Sequence, residues 1–205
     1  MDKLFITGIG TGVGKTVTAA CVTQALQADY WKPVQTGLLE GTDRDTVRSL
    51  VSNDFTVCHP ELYRLKEPAS PHLAARMEDV KIELRPIIDQ AKVYQPVLRP
   101  LVIEGAGGIM VPLNEDQFML DMVLEIQAQV IIVAQLYLGS INHALLTAEL
   151  LRQKGAPVLG WIFNGPEHSN AADIVRWSGY PLLGHIPFTA KLDKAFVKAQ
   201  KFNFR

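Results

Sequence analysis

The sequence predicts a three-layer α/β fold, in which a doubly wound, mostly parallel sheet carries helices on both faces. Short apolar β-type runs alternate with segments of helical period along the whole chain, and such alternation implies right-handed strand–helix–strand crossovers. The strand candidates are continuously apolar, as strands covered on both faces are. Several of them run straight into polar or glycine-rich positions: Gly8, Lys32, Glu104, Asn164 and Pro187. Open parallel sheets bind ligands beyond the carboxyl ends of their strands, so chemistry is expected there.

The first strand is "LFITG" (4–8), and "TVTAACVTQALQ" (16–27) follows with apolar residues at helical spacing. "YWKPV" (30–34) is the second strand, with a helix expected at about 43–52. The stretch 58–79, "CHPELYRLKEPASPHLAARMED", is irregular and punctuated by proline, and is expected to lie as a loop over the active end of the sheet. A helix at 82–93 leads to "LVIEG" (101–105), and one at 118–127 leads to "VIIVA" (130–134). Helices at 142–153 and 170–178 then alternate with "VLGWIFN" (158–164) and "LLGHIP" (182–187), and a short C-terminal helix is expected. With no internal repeat, low-complexity tract or linker, a single domain over residues 1–205 is expected.

Composition narrows the function classes. The chain has 205 residues, 48% hydrophobic and 20% charged, and a net charge of -1. A nucleic-acid surface needs clustered cations, which this balance does not suggest. The longest apolar run, around "VIIVAQLYLG", is well short of the roughly 20 residues that cross a bilayer, and no signal peptide is recognisable. Cys21 and Cys58 are read as free thiols in a reducing cytoplasm rather than as a disulfide. A cytoplasmic protein acting on small molecules, with no nucleic acid or membrane partner, is the expectation.

The strongest local signal is "GIGTGVGKT" (8–16), placed between a strand and a helix. It departs from G-x-x-x-x-G-K-[ST] because Ile9 stands where the first glycine belongs, and Val13 breaks G-x-G-x-x-G. Gly10, Gly12 and Gly14 can nonetheless turn successive backbone N–H groups, with those of Thr11 and Val13, toward an anion. Lys15 supplies charge for β and γ phosphates, the Thr16 hydroxyl can ligate Mg²⁺, and the helix N-terminus adds its positive end. A dinucleotide site is poorly supported, since Lys32-Pro33 follows the second strand where an acidic residue is needed. Glu104, with "GAGG" behind it, can hold Mg²⁺ directly or through water. Asp45 is a further candidate ligand, and Asp43 competes with it.

Six blocks then occur in order: "GTGVGKT", "KPVQTG" (32–37), "EPASPH" (67–72), "EGAGG" (104–108), "LGSINHALLTAELL" (138–151) and "GWIFN" (160–164). Over residues 3–188 they resemble the dethiobiotin synthetase family, whose glycine loop is likewise long by one residue. The resemblance implies a fold of the P-loop NTPase type. It also implies a reaction in which 7,8-diaminononanoate, CO₂ and ATP, with Mg²⁺, give a cyclic urea through a carbamate and a carbamic–phosphoric anhydride. By resemblance, Lys15 neutralises the γ-phosphate, Lys32 sits over the carbamate with Thr36 beside it, and Thr16, Asp45 and Glu104 hold Mg²⁺. The diamine is implied near Gly105, Gly107 and Gly108 and the "EPASPH" loop. Its distant carboxylate falls to Ser140, Ile141 and Asn142 of a neighbouring subunit, hence a homodimer with composite sites. His143 is expected in helix packing. Asn164 corresponds to the adenine-reading asparagine, and "HIPF" around Pro187 to backbone contacts with the same ring.

Departures from the family pattern bear on selectivity. Gly10 and Gly12 stand where some relatives have an acidic residue, His185 where an acidic residue often precedes Ile-Pro, and Tyr137 where Lys or Asp is common. The competing class is a partition or assembly ATPase of the same fold. Such proteins usually carry a lysine early in the loop, and Gly8 to Val13 contains none.

Overall fold

The protein is represented by a computed structural model that describes residues 3–39, 41–95, 98–166 and 170–204. Its elements run β1 (Lys3–Gly8), α1 (Lys15–Leu26), β2 (Asp29–Trp31), β3 (Val34–Thr36), α2 (Asp43–Leu50), β4 (Cys58–His59) and β5 (Tyr63–Leu65). They continue with α3 (Pro71–Met77), α4 (Leu84–Tyr94), β6 (Leu101–Gly108), α5 (Met119–Ile126), β7 (Gln129–Gln135) and α6 (Ser140–Gln153). The last are β8 (Val158–Asn164), α7 (Asn170–Ser178), β9 (Leu182–Ile186) and α8 (Lys194–Ala199).

Seven strands form one sheet in the order β4-β2-β6-β1-β7-β8-β9, and every pairing in it is parallel. Parallel strands need crossovers, and right-handed ones leaving β1 and β7 in opposite directions put α1 and α6 on opposite faces. Accordingly α1 packs with α2 and α8, α4 with α5, and α6 with α7. The apolar runs fill the layer between: Leu4, Phe5, Ile6, Val102, Ile103, Val130 to Ala134 and Trp161 to Phe163 are all buried. Two buried tryptophans satisfy their indole N–H groups, Trp31 on Pro60 O at 3.0 Å and Trp161 on Ser178 Oγ at 2.9 Å.

Two expectations need correction. The strand read as 30–34 is broken at Lys32-Pro33, because proline has no N–H for the ladder. β2 stays in the main sheet, whereas β3 pairs with β5 in a separate two-stranded parallel sheet. The Pro33 carbonyl still works as an anchor, accepting from the N–H groups of Leu62 and Tyr63. The segment 58–79 is not loop throughout: it contains β4, β5 and α3. Its prolines position structure rather than prevent it, since Pro71 takes the first turn of α3, where its missing N–H is not needed.

Candidate active site

β1 and α1 are joined by the glycine loop. Gly12 and Gly14 adopt φ 74 and 88, the left-handed region that side chains disfavour. Gly14 caps α1, and a Cβ there would collide with the Asn164 amide. Ile9 is an ordinary residue of the wider turn: it is buried, and its N–H donates to Val133 O at 3.0 Å. At the start of α1, Lys15 Nζ donates to Gly10 O at 2.9 Å. Burial pulls the Lys15 pKa down to about 8, against the opposing pull of Glu104.

Four elements bring charged groups to this point. Thr16 Oγ1 lies 3.0 Å from Asp43 Oδ1 and 2.9 Å from Glu104 Oε1. Lys32 Nζ is ion-paired with Asp43 Oδ2 and stands 3.3 Å from Glu104 Oε1. Burial works to lower the Lys32 pKa, but the adjacent Glu104 and Asp43 carboxylates outweigh it and raise it. Tyr30 donates its hydroxyl to Glu104 Oε2 at 2.7 Å, and burial together with Glu104 raises its pKa well above the usual phenol value. Tyr30 is therefore a neutral donor that orients a carboxylate. Two carboxylates and a hydroxyl form a hard-oxygen set of the kind Mg²⁺ takes, and the Lys32 ammonium bridges both acids. Thr16, Asp43 and Glu104 could hold the ion.

These groups line a cavity of about 730 Å³, with Thr11, Gly12, Thr36, Gly107 and the Pro68–Pro71 turn on its walls. Such a cavity can receive several negative charges at once, facing Lys15, Lys32 and the loop amides. A smaller cleft on the other side of the loop is lined by Val13, Asn164 and Pro187. The loop thus borders two adjoining spaces, one beside Lys15 and Thr16, where phosphates are expected, and one beside Asn164 and Pro187, where the base is expected.

The structure moves several expected residues. Asp45 does not face the site: it is exposed and closes the cap of α2, accepting from Thr42 Oγ1 at 2.8 Å and thereby held below the usual carboxylate range. Asp43, two residues earlier, is the acid that meets Thr16 and Lys32. Gly105 serves packing, since a Cβ there would lie 2.8 Å from the Phe5 ring. Gly108 approaches Gly8 O and, with Gly10, borders a groove beside α6. Only Gly107 of the three reaches the main cavity. Ser140, Ile141 and Asn142 begin α6 and do not line that cavity in their own chain. Ser140 is buried, its Oγ accepting from Tyr137 N at 3.2 Å, and the Tyr137 hydroxyl meets His143 Nδ1 at 2.7 Å. His185 lies on β9 outside the lining of the smaller cleft.

Two participants were not read from the sequence. Tyr30 stands two residues before Lys32, and period-two alternation along a strand could have flagged it. Gln35 accepts from Asp43 N at 3.1 Å and donates to Thr36 O at 2.9 Å. No sequence signal points to it, because the contact joins β3 to the start of α2.

Comparisons with known proteins identify the family and the fold. A family model described as an AAA domain matches residues 2–195. A protein of Cytophaga hutchinsonii named ATP-dependent dethiobiotin synthetase is 46% identical over 97% of this chain and 95% of its own. One of the same name from Novosphingobium aromaticivorans is 42% identical, covering 100% and 98%. Among solved structures, the cell division ATPase MinD of Pyrococcus furiosus superposes with TM-score 0.60 at 16% identity, covering 97% of this chain and 96% of that one. A ParA family ATPase from Chlorobium tepidum gives TM-score 0.57 at 16% identity, covering 91% and 84%. At that identity the two ATPases share the fold and nothing more is implied.

Proposed function

The chain belongs to the dethiobiotin synthetase family, within the AAA domain model, and from that premise we propose that it makes dethiobiotin from 7,8-diaminononanoate, CO₂ and ATP. The observation that carries the reading is Lys32, buried beside the phosphate loop and held between Asp43 and Glu104. A partition-type switch draws its second ammonium from the glycine loop, which has none here from Gly8 to Val13, whereas a carboxylated substrate adjoining a triphosphate calls for one at the strand end.

In the proposed sequence one amine takes up CO₂ and, losing a proton, becomes a carbamate. A carbamate oxygen attacks the γ-phosphorus, the bond to the β–γ bridging oxygen breaks, and ADP leaves. The second amine attacks the carbonyl carbon, phosphate departs, the amine gives up a proton, and the cyclic urea remains. This chemistry depends mainly on positioning and charge. Lys15 would hold the γ-phosphate, and Lys32, whose raised pKa keeps it an ammonium, the carbamate and the transferring group. Thr36 would hydrogen-bond the same region, and the Gly107 backbone would let the diamine approach closely. Thr16, Asp43 and Glu104 would hold Mg²⁺, which when bound screens phosphate charge.

The composite site is also part of the proposal. Support comes from Ser140, Ile141 and Asn142 standing away from their own cavity, and from exposed Met110, Leu138 and Leu146 nearby. A second copy of the chain would cover that face and receive the substrate's carboxylate at the start of α6. Among the described residues no helix is long and apolar enough to cross a membrane. Cys21 and Cys58 are both free, which suits the cytoplasm.

The deciding experiment supplies the purified chain with ATP, Mg²⁺, bicarbonate and the diamine. Phosphate and cyclic urea are expected in equal amounts. Phosphate without urea, or neither product, would sink the reading.

A further inference from the structure

The first turn of α2 carries Asp43, and the way that turn faces decides whether the acid reaches Thr16 and Lys32. Successive helical residues point about 100° apart around the axis, so Asp43, Arg44 and Asp45 leave the turn in three directions. Asp43 faces the main cavity, and Asp45 closes the cap on Thr42. Arg44 reaches to Glu61 instead, its Nη1 standing 3.4 Å from Glu61 Oε2.

Glu61 lies in the turn between β4 and β5, and its side chain is wholly buried. Neither of its oxygens accepts a hydrogen bond among the described residues, so Arg44 is the group that answers its charge. Desolvating such a pair offsets most or all of its Coulomb attraction, so net stability does not account for it. Its backbone, by contrast, is anchored on both sides. Trp31 Nε1 donates to Pro60 O at 3.0 Å, and the N–H groups of Leu62 and Tyr63 donate to Pro33 O at 3.0 and 2.9 Å. The stretch Trp31–Pro33 that presents Lys32 to the cavity therefore also fixes the place of Glu61. We propose that Glu61 is a positioning residue for the active site. Through Arg44 it sets the rotation of the first turn of α2, and so aims Asp43 at the Mg²⁺ position beside Thr16. Gln35 holds the Asp43 N–H and fixes where the turn begins; the Arg44–Glu61 pair fixes which way it faces. The inference rests on the nucleotide and Mg²⁺ reading above.

The test is the calorimetric affinity of wild type and Glu61→Gln for a non-hydrolysable ATP analogue, with Mg²⁺ and with EDTA. The substitution keeps the shape and removes the charge that holds Arg44. With Mg²⁺ the variant should bind about three- to tenfold more weakly, less than the roughly 10- to 100-fold lost when a metal ligand's own partner is removed. With EDTA the two affinities should agree, which a merely structural role would not predict. On an Asp43→Asn background Glu61→Gln should cost nothing further, because both changes act on one contact. If Glu61→Gln misfolds, the double variant Arg44→Met, Glu61→Gln, which leaves neither charge in place, stands in with the same expected loss. Undiminished Mg²⁺-dependent affinity in a folded variant, an equal loss with EDTA, or a further loss on Asp43→Asn overturns the role. Wild type indifferent to Mg²⁺ would instead overturn the metal assignment, and wild type that binds no nucleotide the proposed function, so the failures are distinct.

Discussion

Lys15 is poised differently from Lys32 although both are buried beside the same acids. Lys32 has two carboxylates in contact and stays charged, whereas Lys15 has a backbone carbonyl and a pKa near 8 instead of 10.5. The sign follows from linkage. Below pH 8 the folded chain bears the cost of a charged, desolvated Lys15, and that cost is relieved as pH rises from about 8 to 10.5, because the folded state releases its proton first. Nucleotide phosphate reverses the balance, so ATP binding above pH 8 should take up close to one proton. Calorimetry in buffers of differing ionisation heat reads this directly, and Lys15→Arg, always charged, should abolish the uptake. Lys15→Ala and Lys32→Ala should each lower turnover by at least about a hundredfold with the fold retained, the scale of losing one transition-state charge contact. Steady-state kinetics on either variant checks that. The two acids of α2 separate as well. Asp43→Asn should raise the Mg²⁺ requirement and cut turnover at least about tenfold, since it removes a charge-assisted contact. Asp45→Asn, at the solvent-facing cap, should leave turnover within about twofold and cost only about 0.5 kcal/mol of stability. Equal kinetic losses would return Asp45 to the site.

At the scale of elements, the turn into α1 is the most constrained junction. Gly14 has a left-handed backbone and no space for a Cβ, because Asn164 from β8 is bonded across it. Gly14→Ala should therefore destabilise the chain by about 1–3 kcal/mol and weaken ATP binding together; a thermal melt and a nucleotide titration measure the two. An unaffected melting temperature would mean the loop is held less tightly than its geometry implies. The break at Pro33 is the second such junction. By ending β2 there, it leaves Lys32 at the strand's carboxyl end and redirects β3 onto β5. Gln35 can then hold the head of α2, and with it Asp43.

At the scale of the whole molecule, the start of α6, proposed above to receive the substrate's carboxylate, does not line its own chain's cavity. If two copies complete each other's sites, a chain carrying Lys15→Ala and one carrying Asn142→Asp are each defective but complementary. Their mixture should regain about a quarter of wild-type activity, since random pairing makes half the dimers mixed and each holds one intact site. Activity no greater than that of the separate variants would show that each site is served by one chain.

Sequence alone determined the layered parallel sheet, the phosphate loop between β1 and α1, Lys15 and Thr16 at the start of the first helix, and Lys32 and Glu104 at strand ends. Those features are local: apolar runs, glycine spacing and polar residues just past a strand are set by neighbours in the chain. The tertiary structure decided what depends on distant segments meeting. It chose Asp43 over Asp45, because α2 starts with a cap that claims one acid and turns the other inward. It gave Gly105 to the Phe5 ring rather than to a ligand. It also brought Tyr30 and Gln35 into the site and set Glu61 against Arg44. Strand order and helix rotation fix which side chains share a space, and neither is written in any short stretch of residues.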